Sequence, residues 1–283
     1  EILSADSRQV YRGLDLGTGK DLDEYAAVEP PVPYHLIDIA DPDEVYTLFR
    51  FQRDCYEVLR TLAQRSRFAS GETPLVMVGG SGLYVEAVVK DYRITDVPED
   101  AGLRRRLADE DPDVLVDRLR KADPELAVAT DLGSRRRVIR ALEIAAASAA
   151  GSVRTSAPLD TAVEWRVYGI RSNRNALRKR IRARLEERLD QGLIDEVRGL
   201  LDGGLSLDRL HALGLEYREI SAYLAGRTTR RRMVDDLATA IGRFAKRQDT
   251  WFRGMERRGT PITWIGPGDA GRILEDVGRR VGS

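Results

Sequence analysis

A short polar segment near the start of the chain carries the residues best suited to proton transfer. Asp6 and Ser7 come directly after the apolar run Glu1–Ala5, and Arg8 and Gln9 follow them. A carboxylate at the end of a strand is a candidate general base, because it can accept a proton from a bound substrate. Asp and Ser also cap turns after strands for purely structural reasons. The residues alone leave both interpretations open.

A glycine-rich loop at 79–82 holds a second candidate, the hydroxyl of Ser81. It follows the apolar run Leu75–Val78, and loops at the carboxyl ends of strands bind ligands in open α/β sheets. Ordinary turn glycines would give the same pattern. A hydrolase nucleophile elbow is excluded because Leu83 stands where that motif needs Gly. The stretch 17–21 is not a P-loop, because Asp21 stands where Ser or Thr is required.

Basic residues near the C-terminal end recur at helical spacing. Arg243, Lys246, Arg247 and Thr250 lie three and four residues apart, with Trp251 beside them. Such a stripe can bind RNA phosphates, and an aromatic ring can stack on an unstacked base. A solvated helix face has the same appearance. Spacing alone therefore predicts a basic face and leaves its use open.

Composition excludes several classes of protein. The 283 residues contain one cysteine and two histidines, which rules out an internal disulfide framework and a Cys-based zinc site, and we predict no metal site from these residues. Positive and negative side chains balance at 46 each, so net charge indicates no partner. No apolar run is long enough to span a membrane, and we expect a cytoplasmic protein without a membrane partner.

The alternation of short apolar runs with helical segments predicts an α/β fold with a largely parallel sheet flanked by helices. Strands are expected at Glu1–Ala5, 34–39, 74–78, 164–170 and 261–265. We expect residues 97–160 to form a helical insertion, with helices over Leu103–Ala122 and Ser134–Ala150, between core segments 1–96 and 161–283. Leu177, Ile181, Leu185 and Leu189 predict the buried stripe of a long helix.

Ordered motifs across the chain resemble those of the tRNA dimethylallyltransferases, the isopentenyl transferases that modify an adenine beside the anticodon. The similar segments are Asp6–Thr18 ("DS-x-Q-x-Y…D-I-G-T"), 34–42 ("HLID-x-x-DP"), 51–54 ("F-x-RD"), 78–84 ("VGGTGLY"), 136–143 ("QR-x-x-RALE"), 217–226 ("GYR…YL-x-G") and 245–253 ("AKRQ-x-TW-x-R"). The resemblance implies a P-loop-like, nucleotide-binding sheet with a helical insertion that contacts tRNA. The implied activity is transfer of a dimethylallyl group from dimethylallyl diphosphate to N6 of an adenine next to the anticodon.

The resemblance also assigns roles to individual residues. It implies Asp6 as the base and Ser81, in place of the usual Thr, as a second catalytic residue. It implies substrate contacts by Gly80, Tyr84 and Arg218. The residues implied in tRNA binding are Ser7, Arg8, Gln9, Arg136, Arg137, Arg140, Tyr217, Lys246, Arg247, Gln248, Thr250, Trp251 and Arg253. Glu216 departs from the family pattern, which usually has Gly at that position.

The family pattern includes a phosphate-binding loop, G-x-T-x-x-G-K-[ST], that precedes the first of these motifs and implies bound Mg²⁺. The chain begins after that point, so we expect a truncated form that binds dimethylallyl diphosphate weakly, transfers no group and keeps some affinity for the tRNA anticodon stem-loop. We expect a monomer. Two alternatives remain open: an RNA-binding remnant without activity, and a P-loop nucleotide kinase-like phosphotransferase.

Overall fold

The computed structural model of the protein describes residues 1–65 and 75–281. It contains two compact units. The first comprises Glu1–Asp91 and Leu159–Ser283, and the second is Tyr92–Pro158. Pro74, the first residue of the strand expected over 74–78, lies outside the described residues. No helix among those residues combines the length and the apolar character needed to cross a bilayer.

Parallel pairing joins the strands of the first unit into two small sheets. These strands are β1 (Ile2–Ser4), β2 (Tyr34–His35), β3 (Val76–Val78), β6 (Val167–Ile170) and β7 (Ile262–Ile265). One sheet has the order β2-β1-β3, and the other pairs β6 with β7. The prediction of an α/β fold with parallel strands is thus confirmed, although the described strands form two parallel sheets rather than one.

The strand expected over 34–39 is shorter than the sequence suggests. It ends at His35 because Leu36 (φ 62°) and Asp38 (φ 56°) adopt left-handed backbone conformations, which interrupt an extended chain. The buried ammonium group of Lys20 binds the carboxylate of Asp38 and donates to the carbonyl of Tyr11 at 2.9 Å. This ion pair holds the chain in a turn where a strand was expected.

Helices surround the sheets of the first unit, and most of them bury apolar side chains in its core. They are α1 (Leu22–Ala26), α2 (Leu48–Ala63), α3 (Gly82–Val89), α8 (Arg174–Asp190), α9 (Leu193–Asp202), α10 (Leu207–Leu213), α11 (Leu215–Leu224), α12 (Arg230–Arg257) and α13 (Ala270–Val281). Leu185 and Leu189 of α8 are buried in this core, as their spacing predicted, whereas Leu177 and Ile181 are half-buried.

The second unit has its own apolar core, built around Leu115, Leu119 and Leu142. Its elements are β4 (Thr95–Asp96), α4 (Ala101–Leu107), α5 (Pro112–Ala122), α6 (Pro124–Ala129), α7 (Arg135–Ala149) and β5 (Arg154–Thr155), with β4 and β5 antiparallel. The single helix expected over Leu103–Ala122 is wrong. Asp111 caps a new helix by accepting the N–H of Asp113 at 2.8 Å, and Pro112 occupies its first turn, where proline fits and cannot continue the preceding helix.

Candidate functional site

The two residues predicted to be catalytic lie on adjoining loops at the ends of neighbouring strands. Ser4 pairs with Val78 in the last register position of β1 and β3, and the N–H of Ala5 donates to the carbonyl of Val78 at 2.7 Å. The segments that follow β1 and β3 then leave the sheet at its carboxyl edge, where ligands bind in parallel sheets. The structure thus brings the segment of Asp6 beside the glycine-rich loop.

Ser81 links these two loops through its side chain. Its Oγ accepts the N–H of Ser7 at 3.0 Å and donates to Ser7 Oγ at 3.2 Å. Ser81 is the residue before α3, yet its hydroxyl makes no capping bond to that helix. The hydroxyl is therefore committed to the Asp6 segment, which the sequence placed 74 residues away.

Asp6 is a carboxylate held by backbone donors rather than by a cation. Burial raises its pKa, and the N–H groups of Arg8 and Gln9 oppose this shift, with Arg8 N lying 2.7 Å from Oδ1. Within the described part of the chain, Asp6 forms no ion pair with Lys, Arg or His. A carboxylate in this setting is a stronger base than one neutralised by a salt bridge.

Gln9 connects the Asp6 segment to the loop that follows it. The hydroxyl of Ser4 accepts the N–H of Asp6 at 3.3 Å and donates to Gln9 Oε1 at 2.7 Å. The amide nitrogen of Gln9 donates to the carbonyl of Gly19 at 2.9 Å. Both the oxygen and the nitrogen of the Gln9 side-chain amide are therefore hydrogen-bonded within the protein. Its predicted contact with tRNA stays a prediction.

One face of α12 packs on the glycine-rich loop. Gln248 Nε2 donates to the carbonyl of Gly80 at 2.9 Å. The ring of Trp251 covers Gly82 so closely that a Cβ there would lie 2.3 Å from Cδ1. A side chain at position 82 would displace the indole. These contacts explain why two residues of the "KRQ-x-TW" segment point inward, toward the loop of Ser81.

A neighbouring face of α12 is exposed and basic. Arg243, Lys246 and Arg247 extend into solvent and have no carboxylate partner among residues 1–65 and 75–281. The guanidinium of Arg247 lies 5.5 Å from the ring centre of Phe244. These three cations are available to an anionic partner, whereas Arg253 is paired with Asp249 at 2.8 Å.

The predicted contact residues Thr250, Tyr84, Arg218 and Tyr217 differ in accessibility. Thr250 donates its hydroxyl to the carbonyl of Lys246 at 2.9 Å, and Tyr84 is buried. Arg218 is exposed and bound to Glu219 at 2.7 Å. Tyr217 is 1% exposed, so its side chain contacts the protein interior in this arrangement.

In the second unit, the three arginines predicted to bind tRNA have different surroundings. Arg137 pairs with Asp131 at 2.7 Å, and Arg140 binds Glu143 at 3.0 Å and the carbonyl of Val97 at 2.6 Å. Arg136 is exposed and has no ion-pair partner within the described residues. Among the three, Arg136 is the side chain most accessible to a phosphate.

Mg²⁺ is implied by the family resemblance, and the residues present do not offer it a site. In the two described segments, 1–65 and 75–281, no group of three or more His, Cys, Asp or Glu side chains is arranged to hold a metal ion. Asp6, the carboxylate nearest the predicted chemistry, accepts backbone N–H groups instead. We derive no step through a metal ion.

Glu196 is a polar residue of the region that sequence reasoning missed. Its carboxylate accepts the N–H groups of Asp15 and Leu16 at 3.0 and 2.6 Å on one oxygen. On the other oxygen it accepts the N–H of Gly17 at 3.0 Å and the hydroxyl of Tyr217 at 2.8 Å. No local sequence pattern predicts that Glu196 binds backbone groups about 180 residues away. An acidic residue in the first turn of α9 reads as an ordinary complement to the helix dipole.

Glu216, which departs from the family pattern, also lies in this region. Burial raises its pKa, while the charge of Arg188 opposes the shift. Arg188 is largely buried and packs on Gly19, and burial together with Arg184 lowers its pKa. A carboxyl and a guanidinium therefore share a region where the family pattern usually has no acidic side chain.

Comparison with known sequences agrees with this arrangement. The sequence profile of the IPP transferase family matches residues 9–255. The chain is 47% identical over 277 residues to tRNA dimethylallyltransferase 1 of Syntrophus aciditrophicus, covering 98% of this chain and 88% of that protein. It is 47% identical over 270 residues to tRNA dimethylallyltransferase 2 of Syntrophotalea carbinolica, covering 95% and 87%.

Solved structures give the same result. The tRNA isopentenylpyrophosphate transferase of Bacillus halodurans superposes with a TM-score of 0.64 at 32% identity, covering all of this chain and 87% of that one. A eukaryotic dimethylallyltransferase acting on tRNA, at 20% identity and a TM-score of 0.64, shares the fold. The family match over most of the chain and the 47% identity to relatives of which it covers 87–88% show that this chain belongs to the IPP transferase family.

Proposed function

We propose that this protein is a tRNA dimethylallyltransferase that moves a dimethylallyl group from dimethylallyl diphosphate to N6 of an adenine next to the anticodon. The observation that carries the proposal is the joint placement of Asp6 and Ser81 on adjoining loops at the carboxyl edge of β1 and β3. Relatives that this chain matches over almost its full length bear the name of this activity.

Asp6 serves as the proton acceptor of the reaction. The exocyclic amine of adenine is a weak nucleophile, because its lone pair is delocalised into the ring. As N6 bonds to C1 of the dimethylallyl group, the bond from C1 to the diphosphate oxygen breaks. The diphosphate leaves with the bonding electrons, and the proton of N6 passes to Asp6. The raised pKa of Asp6 suits this role, since a carboxylate without a cationic partner binds a proton more readily.

Ser81 positions the base and presents its hydroxyl to the reacting region. It ties Ser7 to the glycine-rich loop, so the distance between this loop and Asp6 is fixed before substrate arrives. Preorganised polar groups of this kind contribute to catalysis because they need no rearrangement during the reaction. Gly80, Tyr84 and Arg218 are proposed to contact the substrates around this centre.

The exposed basic face of α12 is proposed to bind the tRNA anticodon stem-loop. Arg243, Lys246 and Arg247 are exposed cations that have no carboxylate partner in the described parts of the chain, and they suit phosphate contacts. The target adenine has to leave its stack to reach Asp6, as enzymes that modify bases within structured nucleic acids require. We further propose that the protein acts as a monomer in the cytoplasm, with dimethylallyl diphosphate as its allyl donor.

A transfer assay tests the proposed function. The protein is mixed with labelled dimethylallyl diphosphate and an anticodon stem-loop. Label is expected in the RNA, and it is expected to be lost when the target adenine is replaced by guanine. Transfer of phosphate to a nucleoside, with no labelled RNA, would favour the kinase-like alternative. RNA binding without either product would favour the inactive remnant.

A further inference from the structure

The segment 15–17 is held by a single carboxylate from a distant helix. Three consecutive backbone N–H groups, those of Asp15, Leu16 and Gly17, point at Glu196 with N–O distances of 3.0, 2.6 and 3.0 Å. Successive N–H groups that converge in this way form an anion-binding concavity. Here the bound anion is a side chain of the protein itself.

The same carboxylate fixes Tyr217. The phenol hydroxyl donates to Glu196 Oε1 at 2.8 Å, and burial, together with the negative charge of Glu196, raises the pKa of Tyr217. The hydroxyl therefore stays protonated and keeps donating. Gly17 makes the arrangement possible, because a Cβ at that position would lie 2.4 Å from the tyrosine oxygen. Loop, helix α9 and helix α11 meet at one point.

A continuous chain of hydrogen bonds leads from this point to the base. Gly19, two residues beyond Gly17, donates its N–H to the carbonyl of Asp15 at 2.9 Å and accepts the side-chain amide of Gln9 at 2.9 Å. Gln9 in turn accepts the hydroxyl of Ser4 at 2.7 Å, and Ser4 accepts the N–H of Asp6. Each link fixes the orientation of the next polar group.

We infer that Glu196 is a positioning residue for dimethylallyl transfer: it fixes loop 15–19 and Tyr217, and through Gln9 it sets the orientation of the Asp6 segment. The inference rests on the proposed function, because it assigns Glu196 to the reaction carried out at Asp6. Glu196 touches none of the reacting groups. It acts through the loop.

Replacement by glutamine is a sharp test, because it keeps the size and removes the acceptor capacity. In Glu196→Gln, one oxygen remains for four donors, and the new NH₂ group faces N–H groups that also donate. We expect kcat/KM for transfer to fall about 10- to 100-fold, since small misplacements of catalytic groups cost this much. Amide hydrogen exchange at residues 15–17 is expected to accelerate.

Two further variants separate positioning from general stability. Glu196→Asp keeps the charge on a shorter side chain and is expected to recover part of the lost activity. Val197→Ala removes buried volume from the same helix, in the adjacent position, without touching the carboxylate. It is expected to lower Tm, with kcat/KM and exchange at 15–17 close to wild type well below Tm.

The outcomes distinguish this inference from the proposed function. If the wild-type protein transfers no dimethylallyl group, the proposed function fails. If the wild type is active and Glu196→Gln, folded at the assay temperature, behaves like Val197→Ala, the positioning role is overturned. Should Glu196→Gln not fold, Glu196→Asp and Tyr217→Phe carry the test. Unchanged kcat/KM and unchanged exchange at 15–17 in both of those variants would also overturn it.

Discussion

Asp6 in the first unit and Glu143 in the second are carboxylates held in opposite ways. Burial raises the pKa of Asp6, and the backbone N–H groups of Arg8 and Gln9, which oppose this shift, do not outweigh it. Burial acts on Glu143 in the same direction, but hydrogen bonds from Arg104 and Arg140 and from the N–H of Asp100 outweigh it and lower the pKa. The comparison shows that burial raises the pKa of a carboxylate only where no cation neutralises its charge.

The largest expected effect is loss of the base. In Asp6→Asn, the side chain keeps its size and can still accept the N–H of Arg8, but it cannot take up the proton. Single-turnover transfer is expected to fall by roughly 10²–10⁴-fold. The free energy of unfolding is not expected to fall, because a carboxyl with a raised pKa destabilises the folded state once it is ionised. Near wild-type transfer by Asp6→Asn would remove the residue from the mechanism.

Loss of the Glu143 carboxylate is expected to lower stability, whereas loss of the Asp6 carboxylate is expected to lower activity. Glu143→Gln leaves Arg104 and Arg140 without their shared partner, and both guanidiniums are about a third exposed, so water offsets part of the loss. We expect the second unit to lose roughly 2 kcal/mol of stability. Hydrogen exchange across 92–158 measures this change, with Arg120→Ala, which breaks a surface pair with Asp117, as the control. Equal exchange in the two variants would contradict the assigned role of Glu143.

Lowering the pH is expected to reduce a different quantity for each carboxylate, the transfer rate for Asp6 and the stability of the second unit for Glu143. Transfer requires ionised Asp6, so its rate is expected to rise with pH through the raised pKa of Asp6 and then level off. Glu143 has a lowered pKa in the folded state, so its contribution to stability is present above its unfolded pKa and is lost as pH falls through the folded one. A pH–rate profile and exchange at 92–158, corrected for intrinsic rates, measure the two effects. A transfer rate that stays constant across the acid range would argue against Asp6 as the base.

The smallest expected effect concerns one arginine in each unit: Arg247, which has no ion-pair partner within the described residues, and Arg137, which is paired with Asp131. Replacing Arg247 of α12 by Ala is expected to weaken binding of the anticodon stem-loop. It is also expected to flatten the log-log salt dependence by about 0.7–0.9 per lost phosphate contact. Arg137→Ala in α7 removes a guanidinium already bound to Asp131, and we expect a smaller change. Identical salt slopes for both variants and wild type would indicate that α12 presents a merely solvated face.

Much of the fold could be predicted because its signals are local. The apolar runs located β1, β3, β6 and β7, and the four-residue spacing located α8. The strand expected over 34–39 ends at His35 because Lys20, 18 residues before Asp38, binds that carboxylate and holds a turn. No local sequence pattern encodes this contact. The break at Pro112 was readable in principle, since Asp-Pro is a helix-start signal that the helical spacing across it obscured.

The candidate site was predictable only as far as motifs reach. The resemblance selected Asp6 and Ser81, and the structure brings their segments together. It could not indicate that Tyr217 is buried or that Gln248 and Trp251 face the glycine-rich loop, because the direction of a side chain depends on packing between distant elements. Glu196 was missed for the same reason: all its partners are remote in sequence.

The two faces of α12 differ in how much substitution they can tolerate. Arg247 and Gln248 are neighbours in sequence, yet one extends into solvent and the other grips the carbonyl of Gly80. The inward position is constrained by its contact with the loop, whereas a substitution at the outward position meets solvent. Exposed residues at every third or fourth position of this helix could therefore be exchanged between related enzymes. The contacts that hold the glycine-rich loop of the recipient protein would stay in place.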